Sequence, residues 1–192
     1  MMREKVETTM ATRLERQPPT TLGEFLRWND GTDTRHELVN GEIVAMNPPS
    51  APHARPVTVI GAALDRRLPR GCATYAGGGT ILASDDHNYR IPDLAVSCTA
   101  SSEQWVEQPR LVVEILSRST HKYDMTGQLA FYRSIPSIDE ILLVQVDQRR
   151  CELWQRVGGN WSIEDHIGSA VLPLRITTEP LPLDEIYVPL EL

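Results

Sequence analysis

The segment Pro109 to Leu116, PRLVVEIL, leaves this chain few folds to choose from. A nearly unbroken apolar run of strand length belongs in the middle of a sheet covered on both faces, so helices are expected on each side of it. The run contains one carboxylate, Glu114, and an acid at the end of a buried strand has the look of a metal ligand. Two carboxylates brought close in such a place repel, and a divalent cation offsets the repulsion.

The rest of the chain supplies elements to surround that strand. Thr20 or Thr21 can cap a short helix in TLGEFLRWND, with Leu22, Phe25 and Leu26 on its apolar face. Asn40-Gly41, set between Glu37-Leu38-Val39 and Glu42-Ile43-Val44-Ala45-Met46, is a strong β-hairpin signal. A second helix is expected over roughly residues 55–68, where Val57, Ile60, Leu64 and Leu68 share one face, with Arg66, Arg67 and Arg70 near its C-terminal end. CATYAGGGTILAS predicts two short strands around a glycine run, and YRIPDLAVSC another strand with Asp93 at its entry. Beyond PRLVVEIL the pattern predicts a helix over about 124–134, then strands in DEILLVQVD, RCELWQRV and NWSIEDHI. The C-terminal LPLRITTEPLPLDEIYVPLEL reads as irregular with short strand-like pieces. Together these predict one α/β domain over residues 20–192, a mixed sheet flanked by helices, behind a polar tail of residues 1–19.

Composition excludes more than it selects. No apolar run approaches the roughly 20 residues a bilayer-spanning helix needs, and the first 20 residues lack the apolar core of a secretory signal, so a cytoplasmic protein without membrane contact is expected. Cys72, Cys98 and Cys151 are odd in number and lack metal-type spacing, which indicates neither a disulfide framework nor a zinc site. The net charge of -7 argues against non-specific coating of DNA but leaves room for a local basic cleft.

Asp93 and Glu114 carry the chemical interest. They lie on two apolar strands, 21 positions apart, and adjacent strands would bring them together as a Mg²⁺-type oxygen-donor pair. The plainer alternative is that each pairs with a neighbouring arginine, such as Arg90 or Arg110. Glu37, at the start of the hairpin, could face the same cleft. Arg118, His121, Lys122 and Arg133 follow Glu114 with one acid, Asp124, among them, a patch that suits either a phosphate backbone or solvent. Gly77 to Gly79 fit no phosphate-binding motif, and no Gly-x-Ser-x-Gly elbow is present. His36, His53 and His121 are too scattered in the sequence to be claimed as ligands.

The succession HELVNGEIVAMNPPSAPHA, YRIPDLAV and PRLVVEILSRSTHKYDMTGQLAFYRSIPSIDEILLV resembles the Uma-two family of restriction endonucleases, within the PD-(D/E)xK nuclease superfamily. The likeness runs from about Thr21 to the C-terminal LPLDEIYVPLEL. It implies a restriction-endonuclease-like fold and metal-dependent hydrolysis of DNA phosphodiesters, with Mg²⁺ (or Mn²⁺) on Asp93 and Glu114 and with Glu37 as the early family glutamate. The family's lysine, separated from an aspartate by three residues, falls on Gln128 in Asp124-Met125-Thr126-Gly127-Gln128, and the usual proline after the EILS serine is Arg118. Glutamine can hydrogen-bond a water but brings no charge, so Lys122 or Arg118 is the candidate substitute cation. Three readings follow: a Mg²⁺-dependent endonuclease acting as a homodimer, since cutting a duplex favours two active sites; a nuclease-fold protein that binds nucleic acid or a protein partner without cutting; and a structural domain whose acids are paired with arginines.

Overall fold

The structure, a computed structural model, describes residues 20–48, 50–101, 104–116 and 125–190. Its first helix, α1 (Leu22–Arg27), begins at a capping box: Thr21 Oγ1 accepts the Glu24 N–H while the Glu24 carboxylate accepts the Thr21 N–H. The hairpin β1 (His36–Val39) and β2 (Glu42–Ala45) turns at Asn40 and Gly41, whose φ of 52° and 81° are the left-handed values a two-residue turn of this kind requires. Helix α2 (Ala51–Asp65) starts and ends a few residues earlier than the pattern predicts; the early start is compatible with Pro52, which sits where a helix's first turn tolerates it. Ile60 and Leu64 are nevertheless fully buried on the expected face.

Strands β3 (Ala73–Ala76), β4 (Leu94–Ser97), β5 (Leu111–Leu116), β6 (Glu140–Gln145), β7 (Arg150–Val157) and β8 (Asn160–Ile167) form one six-stranded sheet in sequence order. All neighbours are antiparallel except β5 and β6, which are parallel and joined through helix α3 (Met125–Ser134). Every residue of β5 and β6 is buried, as the apolar runs demand. The pleat divides their side chains: Leu111, Val113 and Ile115 face α2, whereas Val112 and Leu116 face Phe131 and Tyr132 of α3. Arg156 of β7 closes the far end of α3 by donating to the carbonyls of Arg133, Ile135 and Ile138.

Three expectations need correction. Only one of the two strands foreseen around the glycine run forms; Thr80 makes an isolated bridge to Arg90 instead. Gly79 packs directly on the Tyr89 ring, leaving no space for a Cβ. The C-terminal region contains, besides a two-residue pair β9 (Val171–Leu172) and β10 (Leu181–Pro182), a short helix α4 (Leu183–Tyr187). That helix is held to α2 by the buried Arg67, which donates to Glu185 and to the Ala63 and Pro180 carbonyls. Finally, Cys72 and Cys98 form a disulfide, because the antiparallel register of β3 and β4, continued one step past Ala73 and Ser97, sets them opposite each other. Cys151 is the remaining cysteine, buried and free.

Candidate active site

The register that pairs Leu94 with Val113 brings Asp93 opposite Glu114 one step further on. Directly opposed residues of an antiparallel pair hold their side chains on one face, with Cβ atoms about 5 Å apart. The two acids singled out in the sequence are therefore cross-strand neighbours, at the end of β4 and β5 nearest the start of α3.

Each carboxylate is fixed by named donors. Asp93 Oδ2 accepts the backbone N–H of Ile115 at 2.7 Å, and Oδ1 lies 2.7 Å from His53 Nε2 on the first turn of α2. Glu114 Oε1 accepts the Tyr132 hydroxyl at 2.7 Å and the Gln128 carboxamide at 3.0 Å, both from α3. Gln128 also donates to the Tyr132 oxygen at 3.3 Å, as residues four apart on one helix face can. Among the described residues no arginine or lysine pairs with Glu114, whose carboxyl also receives the backbone N–H of Asp93. Arg90 instead binds Glu37 at 3.1 Å, and Arg110 binds Asp139.

Glu37 is brought near but is already engaged. Its Oε1 accepts the Ile91 N–H at 2.7 Å and its Oε2 the Arg90 guanidinium, so it ties the hairpin to the segment leading into Pro92-Asp93. Lys122, Arg118 and His121 lie outside the described residues.

The electrostatics follow from this arrangement. Burial pushes the Glu114 carboxyl well above its ordinary range, and the neighbouring charge of Asp93 raises it further, against the lowering effect of the Tyr132 hydrogen bond. Burial likewise lifts the Tyr132 phenol well above 10, with Glu114 adding to the shift. An uncompensated pair of acids suits a hard divalent cation. Among the described residues no set of three or more histidine, cysteine or acidic side chains is arranged to hold a metal, and Asp93 and Glu114 alone would offer a cation two carboxylates. That set fits Mg²⁺, which keeps several waters, rather than a closed zinc cage.

Two participants were not singled out from the sequence. His53 is 40 residues from Asp93 and gave no local signal; Tyr132 did, being one helical turn from Gln128 and therefore on the same face of α3.

A mixed sheet with a parallel central pair and a crossover helix agrees with the restriction-endonuclease-like fold expected from the sequence. The chain belongs to the Uma2 family: the family model, described as "Putative restriction endonuclease", matches residues 22–180. A relative from Synechocystis, the uncharacterized protein slr1290, is 30% identical over 182 residues, covering 88% of this chain and 92% of that one. A second, sll1609 of the same organism, is 28% identical over 77% of this chain and 88% of its own length. The fold matches the crystal structure of "a putative nuclease belonging to DUF820" from Anabaena variabilis with a TM-score of 0.71 and 17% identity, over 90% of this chain and 99% of that one. No helix among the described residues is long and apolar enough to cross a membrane.

Proposed function

We propose that this chain is a metal-dependent endonuclease that hydrolyses DNA phosphodiester bonds, using Asp93 and Glu114 to hold Mg²⁺ or Mn²⁺. The observation that carries the reading is the cross-strand opposition of these two acids without a cationic side chain on Glu114 among the described residues. A divalent cation bound there supplies Lewis acidity toward a phosphate oxygen. The chain's own residues orient and exclude: Ile115 N–H and His53 fix the Asp93 carboxylate, and Tyr132 and Gln128 fix Glu114. The buried sheet end keeps bulk water from the back of the pair. Glu37 supports the entry to Asp93 through Arg90 and Ile91. Duplex cleavage by a homodimer in the cytoplasm completes the proposal.

One observation favours a second reading, a catalytically impaired protein that binds nucleic acid or a partner. Gln128 stands where the family lysine would be, and its carboxamide is spent on Glu114 and Tyr132. Loss of one preorganised charged donor lowers rates by about 10²–10³-fold. Titration calorimetry with Mn²⁺ on the wild type and Glu114→Gln, beside plasmid nicking by the wild type, Gln128→Lys and Lys122→Ala, separates the readings. Binding lost in Glu114→Gln together with nicking by the wild type supports the endonuclease. Mn²⁺ binding unchanged in Glu114→Gln refutes the site, and no nicking by any of the three proteins with either metal favours binding without cleavage.

A further inference from the structure

The contact between His53 and Asp93 joins two segments that the sequence alone does not place together, HELVNGEIVAMNPPSAPHA and YRIPDLAV. His53 belongs to the first turn of α2, where its N–H bonds the Ser50 carbonyl at 3.0 Å. Its side chain is 28% exposed and that of Asp93 20%, so the contact sits at the mouth of the site rather than deep in the core. A carboxylate oxygen only accepts, so Nε2 is the ring nitrogen that carries the proton in this contact. The opposite oxygen of the same carboxylate is taken by the Ile115 N–H, the residue next to Glu114. Asp93 is thus gripped at both oxygens from two different layers, helix α2 on one side and strand β5 on the other. That grip fixes the rotation of a carboxylate which, standing at a strand entry, would otherwise turn freely about its χ angles.

We infer that His53 is a positioning residue for the reaction: by holding Oδ1 it sets the plane in which Asp93 meets a metal shared with Glu114. The inference rests on the metal-site reading given above. It assigns to His53 the part that outer partners of ligating carboxylates play, whose loss lowers metal affinity about 10–100-fold.

The test uses the full chain and three variants. His53→Leu removes the donor, His53→Gln restores an N–H near the position of Nε2, and Asp93→Asn serves as reference; urea midpoints confirm that each is folded. In metal-free protein, amide hydrogen exchange is followed at Ile115, whose N–H bonds Asp93 directly. Exchange about 10-fold faster in His53→Leu, with wild-type protection regained in His53→Gln, is expected. In calorimetry with Mn²⁺, His53→Leu is expected to bind about 10–100-fold more weakly and His53→Gln within a few-fold of wild type. Unchanged Ile115 exchange in His53→Leu overturns the inference, as does unchanged Mn²⁺ affinity in that variant when Asp93→Asn abolishes binding. Should the wild type bind no Mn²⁺, the metal reading falls, and with it the assigned role; faster Ile115 exchange would then show the grip alone to be real.

Discussion

Replacing Gln128 by lysine tests the electrostatics of the site most directly. The Gln128 nitrogen lies 3.0 Å from Glu114 Oε1, so a lysine ammonium on the same stretch of α3 comes within ion-pairing distance of a buried carboxyl. At about 3 Å and an effective dielectric of about 20, the Coulomb attraction is about 5 kcal/mol. Dehydrating the ammonium removes more than half of that, leaving a net stabilisation of about 2 kcal/mol at neutral pH. The sign depends on pH. In the wild type without metal, the Glu114 carboxyl titrates above its ordinary 4.5 because of burial and Asp93. Its contribution to stability is therefore complete below about pH 4.5 and is lost as the pH rises through the folded-state value. In Gln128→Lys the ammonium favours the ionised acid, and that loss disappears or reverses. Urea unfolding of both proteins in EDTA, from pH 4 to pH 8, measures the difference. A gain for Gln128→Lys that grows with pH is expected. Parallel profiles for the two proteins would refute the claim that Glu114 is an uncompensated buried acid.

Other outcomes follow from the same contacts. Tyr132→Phe removes a fully buried hydroxyl from Glu114 and is expected to cost about 1–3 kcal/mol in urea unfolding at pH 4; no change there would mean the hydroxyl does not hold the acid. Reducing the Cys72–Cys98 bridge, which closes a separation of 26 residues, should lower stability by about 3.5 kcal/mol on the chain-entropy account, read as a urea midpoint with and without reductant, while Cys72→Ser becomes insensitive to reductant. Burial pushes the Cys151 thiol up to about 11 from 9.0, so stability falls as the pH rises between those values, by about 2–3 kcal/mol; alkaline unfolding of Cys151→Val should show that much less slope. Arg156→Met, which strips the carbonyls of Arg133 in the last turn of α3 and of Ile135 and Ile138 beyond it of their donor, is expected to cost about 2 kcal/mol by thermal unfolding.

What could be seen in the sequence was what local chemistry decides. Asn40-Gly41 permits a tight hairpin almost regardless of surroundings, and the LVVEIL run has no stable place but a central strand. Asp93 and Glu114 were visible because each interrupts or opens such a run. Helix α4 was hidden by its length of five residues and its flanking prolines, and it persists because Arg67 and the core receive it, not through propensity. The disulfide, the His53 contact and the engagement of Glu37 by Arg90 depend on register and layering between distant segments, which no local pattern encodes.

The opposition of Asp93 and Glu114 through strand register has a consequence for how such a chain tolerates change. Their separation along the sequence is set by a connection running from Cys98 to Arg110, outside the ladder itself. Lengthening that connection alters the spacing between the acids without altering their alignment. Deleting one residue inside β5 ahead of Glu114 shifts the pleat by one and turns the acid toward α2, away from Tyr132 and Gln128. The alignment of the acids is thus set within the ladder and is intolerant of a single-residue deletion in β5 ahead of Glu114, so the useful search pattern for this architecture is the place of each acid in its own strand rather than the interval between them.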